Sequence, residues 1–146
     1  MTYSPEMTDG DDRDAVVVLP PPTPALLLNK AALLDALEGI CSLAVFFKVD
    51  DLGSNVVETH VHSLAGPCTL PAANVRHTSW RAGNCFRWQE TSLRNALGYL
   101  INDTLGDDWQ AAVGIDGELS IDVASRTVLI AGRSPATGEL SFCRVF

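Results

Sequence analysis

The stretch 41–49 alternates without a break. Leu43, Val45, Phe47 and Val49 fall on one side of an extended chain, and Ala44, Phe46 and Lys48 on the other. Residues 118–123 repeat the pattern, with Leu119, Ile121 and Val123 set against Ser120 and Asp122. Strands of this kind bury one face only, which favours an antiparallel sheet covered on one side. The turn 50–55, with Gly53 free to take positive φ, leads into a second strand over 56–63. There, strict alternation puts Val57, Thr59 and Val61 toward a core and Glu58, His60 and His62 on the opposite face. After 118–123, residues 127–131 return the chain and 141–146 make a last strand.

Two segments carry helical spacing instead. In the first, Asn29 is the expected N-cap, Leu33, Leu34 and Leu37 share a face, and Gly39 is placed to end the helix. The second runs from about Ser92 to Leu105, capped by Thr91 or Ser92. Leu93, Ala96, Leu97, Leu100 and Ile101 form its apolar stripe, and Gly106 ends it. Trp109, Ala112 and Val113 are expected to add one further turn. The order is helix and hairpin, then helix, hairpin and strand. It predicts an α+β, two-layer domain: an antiparallel sheet of about four to five strands with two main helices on one face. The stretch 64–86, with Gly66, Pro67, Pro71 and Gly83, has no sustained period and reads as a functional loop or short strands.

A chain of 146 residues with 47% hydrophobic residues is most simply one domain. Residues 1–24 read as an acidic disordered tail and a connector rich in proline (Pro20, Pro21, Pro22, Pro24), with a short edge strand at 15–19; residues 25–146 read as the single domain. The net charge is −8, and residues 1–14 hold five acids against one arginine, so about half of the excess sits in the tail. An acidic field repels nucleic acid and favours a protein partner with a basic surface. The four cysteines form no C-x-x-C, the N-terminus is acidic with no apolar leader, and no apolar run is long enough for a membrane span. Free thiols in the cytoplasm are expected.

Three constellations carry chemistry. Asp103, Asp107, Asp108, Asp116, Glu118 and Asp122 follow one another with no Lys or Arg between residues 95 and 125, and Trp109 lies among them as a potential anchor. This is the expected contact for a basic partner. Arg76, Trp80, Arg81, Arg87 and Trp88 interleave cations with aromatics, a pattern that grips anions or single-stranded nucleic acid. His60 and His62 form an H-x-H chelate on a strand, with Cys68 six residues on and His77 and Cys85 as further candidate ligands, which makes zinc the alternative cofactor and a zinc-binding domain or metal-dependent enzyme the alternative function. Direct nucleic-acid binding is disfavoured by the net charge. No P-loop, dinucleotide fingerprint or G-x-S-x-G is present, so no reaction is indicated.

The blocks Asn29-Lys30-Ala31-Ala32-Leu33-Leu34-Asp35-Ala36-Leu37, Ser92-Leu93-Arg94-Asn95-Ala96-Leu97, Trp109 and Gly117-Glu118-Leu119-Ser120-Ile121-Asp122-Val123-Ala124-Ser125-Arg126-Thr127 resemble an uncharacterised family of small acidic bacterial proteins common on plasmids and phages. The turn Asp50-Asp51-Leu52-Gly53-Ser54 matches that family's pattern loosely, and the segment from Arg76 to Trp88 departs from it. The resemblance implies no activity. It does suggest a mobile-element protein, and with the acidic stretch it suggests an inhibitor or antagonist of a bacterial defence complex, nuclease or toxin.

Overall fold

The computed structural model describes residues 19–81, 85–106 and 112–146. Helix α1 spans Pro24–Ala36 and helix α2 Leu93–Leu105. Strands β1 (Ile40–Asp50), β2 (Gly53–Ser63), β3 (Gly66–Cys68), β6 (Asp116–Asp122), β7 (Thr127–Arg133) and β8 (Leu140–Val145) form one antiparallel sheet in the order β3-β2-β1-β6-β7-β8. Strands β4 (Asn74–Arg81) and β5 (Cys85–Ser92) form a separate two-stranded ribbon. Over the described residues the protein is thus α+β, with two helices and an antiparallel sheet. Among the described residues the sheet has six strands where four to five were expected, and β3, β4 and the start of β5 come from the stretch 64–86 that lacked a period.

Alternation does its expected work in β1 and β6. Leu43, Val45, Phe47 and Val49 are buried, as are Leu119 and Ile121. Val128, Ile130 and Phe142 continue that face, and Leu33, Leu34, Leu37, Leu97, Leu100 and Ile101 of the helices close one core over it. Two glycines make room for aromatic rings. Gly117 pairs with Phe47 and Gly132 with Phe142, and in each case the ring lies where a Cβ on the glycine would be. Cross-strand glycine–aromatic pairs of this kind let a large ring lie flat against the sheet.

Helix α1 starts earlier than Asn29. Its N-cap is Thr23, whose Oγ1 accepts the Leu26 N–H at 3.1 Å, and Pro24 opens the first turn. Pro24 therefore belongs to the helix rather than to the connector. Asn29 lies buried in the second turn instead of capping the first. Ser92 caps α2 by accepting the Asn95 N–H at 3.1 Å, and Gly106 ends it at φ 76°, both as the residue types predict.

Strand β2 departs from strict alternation. The register moves by one residue between Phe46↔Glu58 and Phe47↔Val56, so Val57 is the extra residue of a β-bulge. Val56 packs on the core in its place, and Val57 is 59% exposed. Beyond the bulge, Val61 is inward and Glu58, His60 and His62 point outward, as expected. Residues 15–18 of the expected edge strand lie outside the described residues. Leu19 is buried, and Arg144 of β8 donates to its carbonyl oxygen at 3.1 Å. Among the described residues, no helix is long and apolar enough to cross a membrane.

Candidate protein-docking face

Helices α1 and α2 lie over one side of the sheet, and among the described residues the other side is left open. Pairing across β2, β1, β6 and β7 places its side chains in rows. His62, Ser42, Asp122 and Thr127 form one row, and His60, Ala44, Ser120 and Leu129 the next. Glu58, Phe46, Glu118 and Ala131 follow, then Asn55, Lys48, Asp116 and Arg133. Strands are about 4.8 Å apart, so neighbours within a row are in side-chain reach.

This arrangement gathers part of the expected acidic surface. Asp116, Glu118 and Asp122 leave β6 on the open side, and Glu58 joins them from β2. The Lys48 ammonium donates to Asp116 at 2.7 Å in an exposed pair. Ser120 Oγ donates to Glu118 at 2.8 Å. Among the described residues, no Lys or Arg forms an ion pair with Glu58, Glu118 or Asp122. Glu58 instead bonds the His60 Nε2.

Asp103 does not join them. It lies on α2, on the helix side of the sheet, with His77 Nε2 at 3.9 Å. His77, 11% exposed, stacks at 4.7 Å on Tyr99. Burial pushes the Asp103 carboxyl above the usual aspartate range, and the neighbouring His77 charge and a hydrogen bond from Asn29 offset this only in part. The expectation that Asp103 shares one face with the later acids is therefore corrected: its helix position aims it at the ribbon. Asp107, Asp108 and Trp109 lie outside the described residues.

The arginine–aromatic segment is the ribbon. Arg76 and Trp88 share one face of it, and the guanidinium lies 4.1 Å from the Trp88 ring centroid. Trp88 is 58% exposed, and Arg87 is exposed beside it. Trp80 and Arg81 contribute backbone to β4, but their side chains lie outside the described residues. This hairpin was missed because its apolar alternation is weak. Among the described side chains of β4, Val75 is the one buried apolar residue, and β5 from Arg87 to Glu90 is exposed on both faces.

His60 and His62 are exposed on the open face, in neighbouring rows. Cys68 pairs with Val61 in the register, which puts it on the other side of the sheet from both histidines. His77 is likewise on the helix side. Among the described residues, no three His, Cys, Asp or Glu side chains are grouped to hold a metal ion. The two imidazoles alone supply half of a tetrahedral shell.

Phe46 was not singled out by sequence reasoning, yet it stands at the centre of the open face, 36% exposed, between Glu58 and Glu118. Its outward position was readable from period two; its two acidic neighbours required the strand order. Comparison with protein-family models, characterised proteins and solved structures finds no match to the chain.

Proposed function

We propose that the chain is a non-enzymatic binding domain that docks a protein with a basic surface onto its open sheet face. The observation that carries the reading is the set of outward carboxylates on β6, extended by Glu58, on a sheet side that no helix among the described residues covers. Three of these four carboxylates have no Lys or Arg counterpart among the described residues, so their field is available to an incoming cation. In its concrete form the domain acts in the cytoplasm as a mobile-element inhibitor, occupying the nucleic-acid-binding surface of a defence complex, nuclease or toxin. The test is capture of the partner from the native host with the full chain, followed by binding at two salt concentrations. A basic partner is expected. Its affinity should fall about tenfold or more between ~50 and ~200 mM salt. The double reversal Glu118→Lys and Asp122→Lys should abolish it. Affinity unchanged by salt and by the reversal removes the reading.

A second reading attaches to the ribbon. The stacked Arg76–Trp88 pair is an exposed cation beside an exposed π-face, the pairing that single-stranded nucleic acid uses. No gel shift with single-stranded oligonucleotides at low salt removes it.

A further inference from the structure

We propose that Phe46, with Glu58 and Glu118 on either side, is the seat for one arginine side chain of the docked protein. The inference rests on the docking reading and adds to it the residue type that anchors the partner. Phe46 opposes Glu58 of β2 and Glu118 of β6 in the same row. Opposed Cβ atoms lie about 5 Å apart, so the ring stands between two carboxylates whose Cβ atoms are about 10 Å apart. The row itself offers a metal ion only these two carboxylates, with the apolar Phe46 ring between them, short of the roughly six or more oxygen ligands that a hard cation takes. A planar guanidinium does better: it lies against the ring, attracted by the π-face, and bonds a flanking carboxylate with its edge.

The surroundings favour such a ligand. His60 stands perpendicular to the Phe46 ring, with centroids 5.7 Å apart, and Glu58 in turn bonds His60, so the β2 side of the ring is braced. Ser120 orients Glu118 through its hydroxyl. Lys48 follows Phe46 by two residues on the same face, but its ammonium is taken by Asp116 and leaves Glu118 to the incoming cation. Beside the ring opens a shallow trough of about 430 Å³. Its floor is Ser42, Ala44 and Ser120, and its sides are the β2 histidines and Leu129. Small floor residues leave a lane for the aliphatic stem behind the charged head. Lysine meets the same charges but lacks the plane that stacks, so arginine is preferred.

The experiment is a titration of the isotope-labelled full chain followed by NMR, residue by residue, which separates this face from the acidic stretch 1–14. The probes are the tripeptide Gly-Arg-Gly, its lysine and citrulline counterparts, and an oligo-arginine peptide. Gly-Arg-Gly should saturably shift the Phe46 ring and the amides of Ala44 and Glu118. Citrulline, equal in shape but neutral, should bind at least about fivefold more weakly, and lysine about threefold. Phe46→Leu and Glu118→Gln, each checked for native amide dispersion, should weaken Gly-Arg-Gly about threefold or more. Equal binding of citrulline, saturable shifts confined to another face, or indifference to both variants overturns the seat. Oligo-arginine that shifts the β6 face equally in wild type and Phe46→Leu removes the seat and leaves the docking face standing. Oligo-arginine that leaves this face unshifted removes both.

Discussion

Asn29 on α1 binds both backbone groups of Thr78 on β4: its Nδ2 donates to the Thr78 carbonyl oxygen at 2.8 Å, and its Oδ1 accepts the Thr78 N–H at 2.7 Å. A side-chain amide here does what a neighbouring strand would do, closing the edge of the ribbon that β5 does not pair. Asn29→Ala leaves a donor and an acceptor unpaired in a part-buried site, and the expected cost is about 2 kcal/mol in denaturant unfolding. Asn29→Asp should cost more, because it sets a carboxylate against the Thr78 carbonyl oxygen and near Asp103. Equal stability of wild type and both variants would show that the clamp contributes nothing.

Asp103 carries the pH dependence of this same region. Its folded pKa is raised, chiefly by burial, so the native state holds the proton more tightly than the unfolded chain does. The contribution to stability is therefore fully present below the unfolded value, about 3.9, and is lost as pH rises through the raised folded value. Asp103→Asn should then be at least as stable as wild type near neutrality, by less than about 1 kcal/mol, since the side chain is 42% exposed and solvent screens it. Below about pH 4 the advantage should vanish. Paired unfolding curves across that range check the sign. A variant that is clearly weaker at neutral pH would mean that the His77 contact outweighs burial.

The glycine–aromatic pairs predict an unusually steep response to one methyl group. A Cβ at Gly117 would overlap the Phe47 ring, and one at Gly132 would overlap Phe142 and Ile115. Both rings are buried and cannot swing away without moving the core. Gly117→Ala and Gly132→Ala should each lose about 2–3 kcal/mol, seen as a melting temperature lower by several degrees. Gly138, with open space around its Cα but φ 73°, should respond more mildly, through backbone strain alone.

The legible parts of the fold are those where burial and local spacing agree. Strands β1 and β6 announce themselves because one face of each is wholly apolar, and α2 because Ser92 and Gly106 bound a clear stripe. Strands β4 and β5 were hidden because the ribbon is fastened by polar means, through the Asn29 clamp and the His77–Tyr99–Asp103 contacts, and leaves little hydrophobic trace. Asn29 itself resembled a cap because asparagine suits both roles locally; the partner that decides between them is 49 residues away. At the candidate site, the outward direction of Glu58, Phe46, Glu118 and Asp122 followed from period two. That β1 lies between β2 and β6, bringing them into one row, is a long-range fact that no local pattern contains.

The bulge at Val57 offers the sharpest test of that boundary between local and long-range information. Strict alternation from Val61 backwards assigns Val57 to the core and Val56 to solvent. The register shift reverses the two. In the structure Val56 packs against the core, while Val57 is exposed on the bulged segment. Val57→Lys should therefore change stability by less than about 0.5 kcal/mol, as surface substitutions do. Val56→Lys should cost about 2 kcal/mol or more, because it removes apolar burial and draws an ammonium toward an apolar interior. Thermal or denaturant unfolding of the two variants side by side decides it. The opposite ranking would mean that β2 runs unbulged. Val57 would then pair with Phe47, while Glu58, which pairs with Phe46 on the near side of the bulge, would keep its place in the acid–aromatic–acid row proposed as the arginine seat.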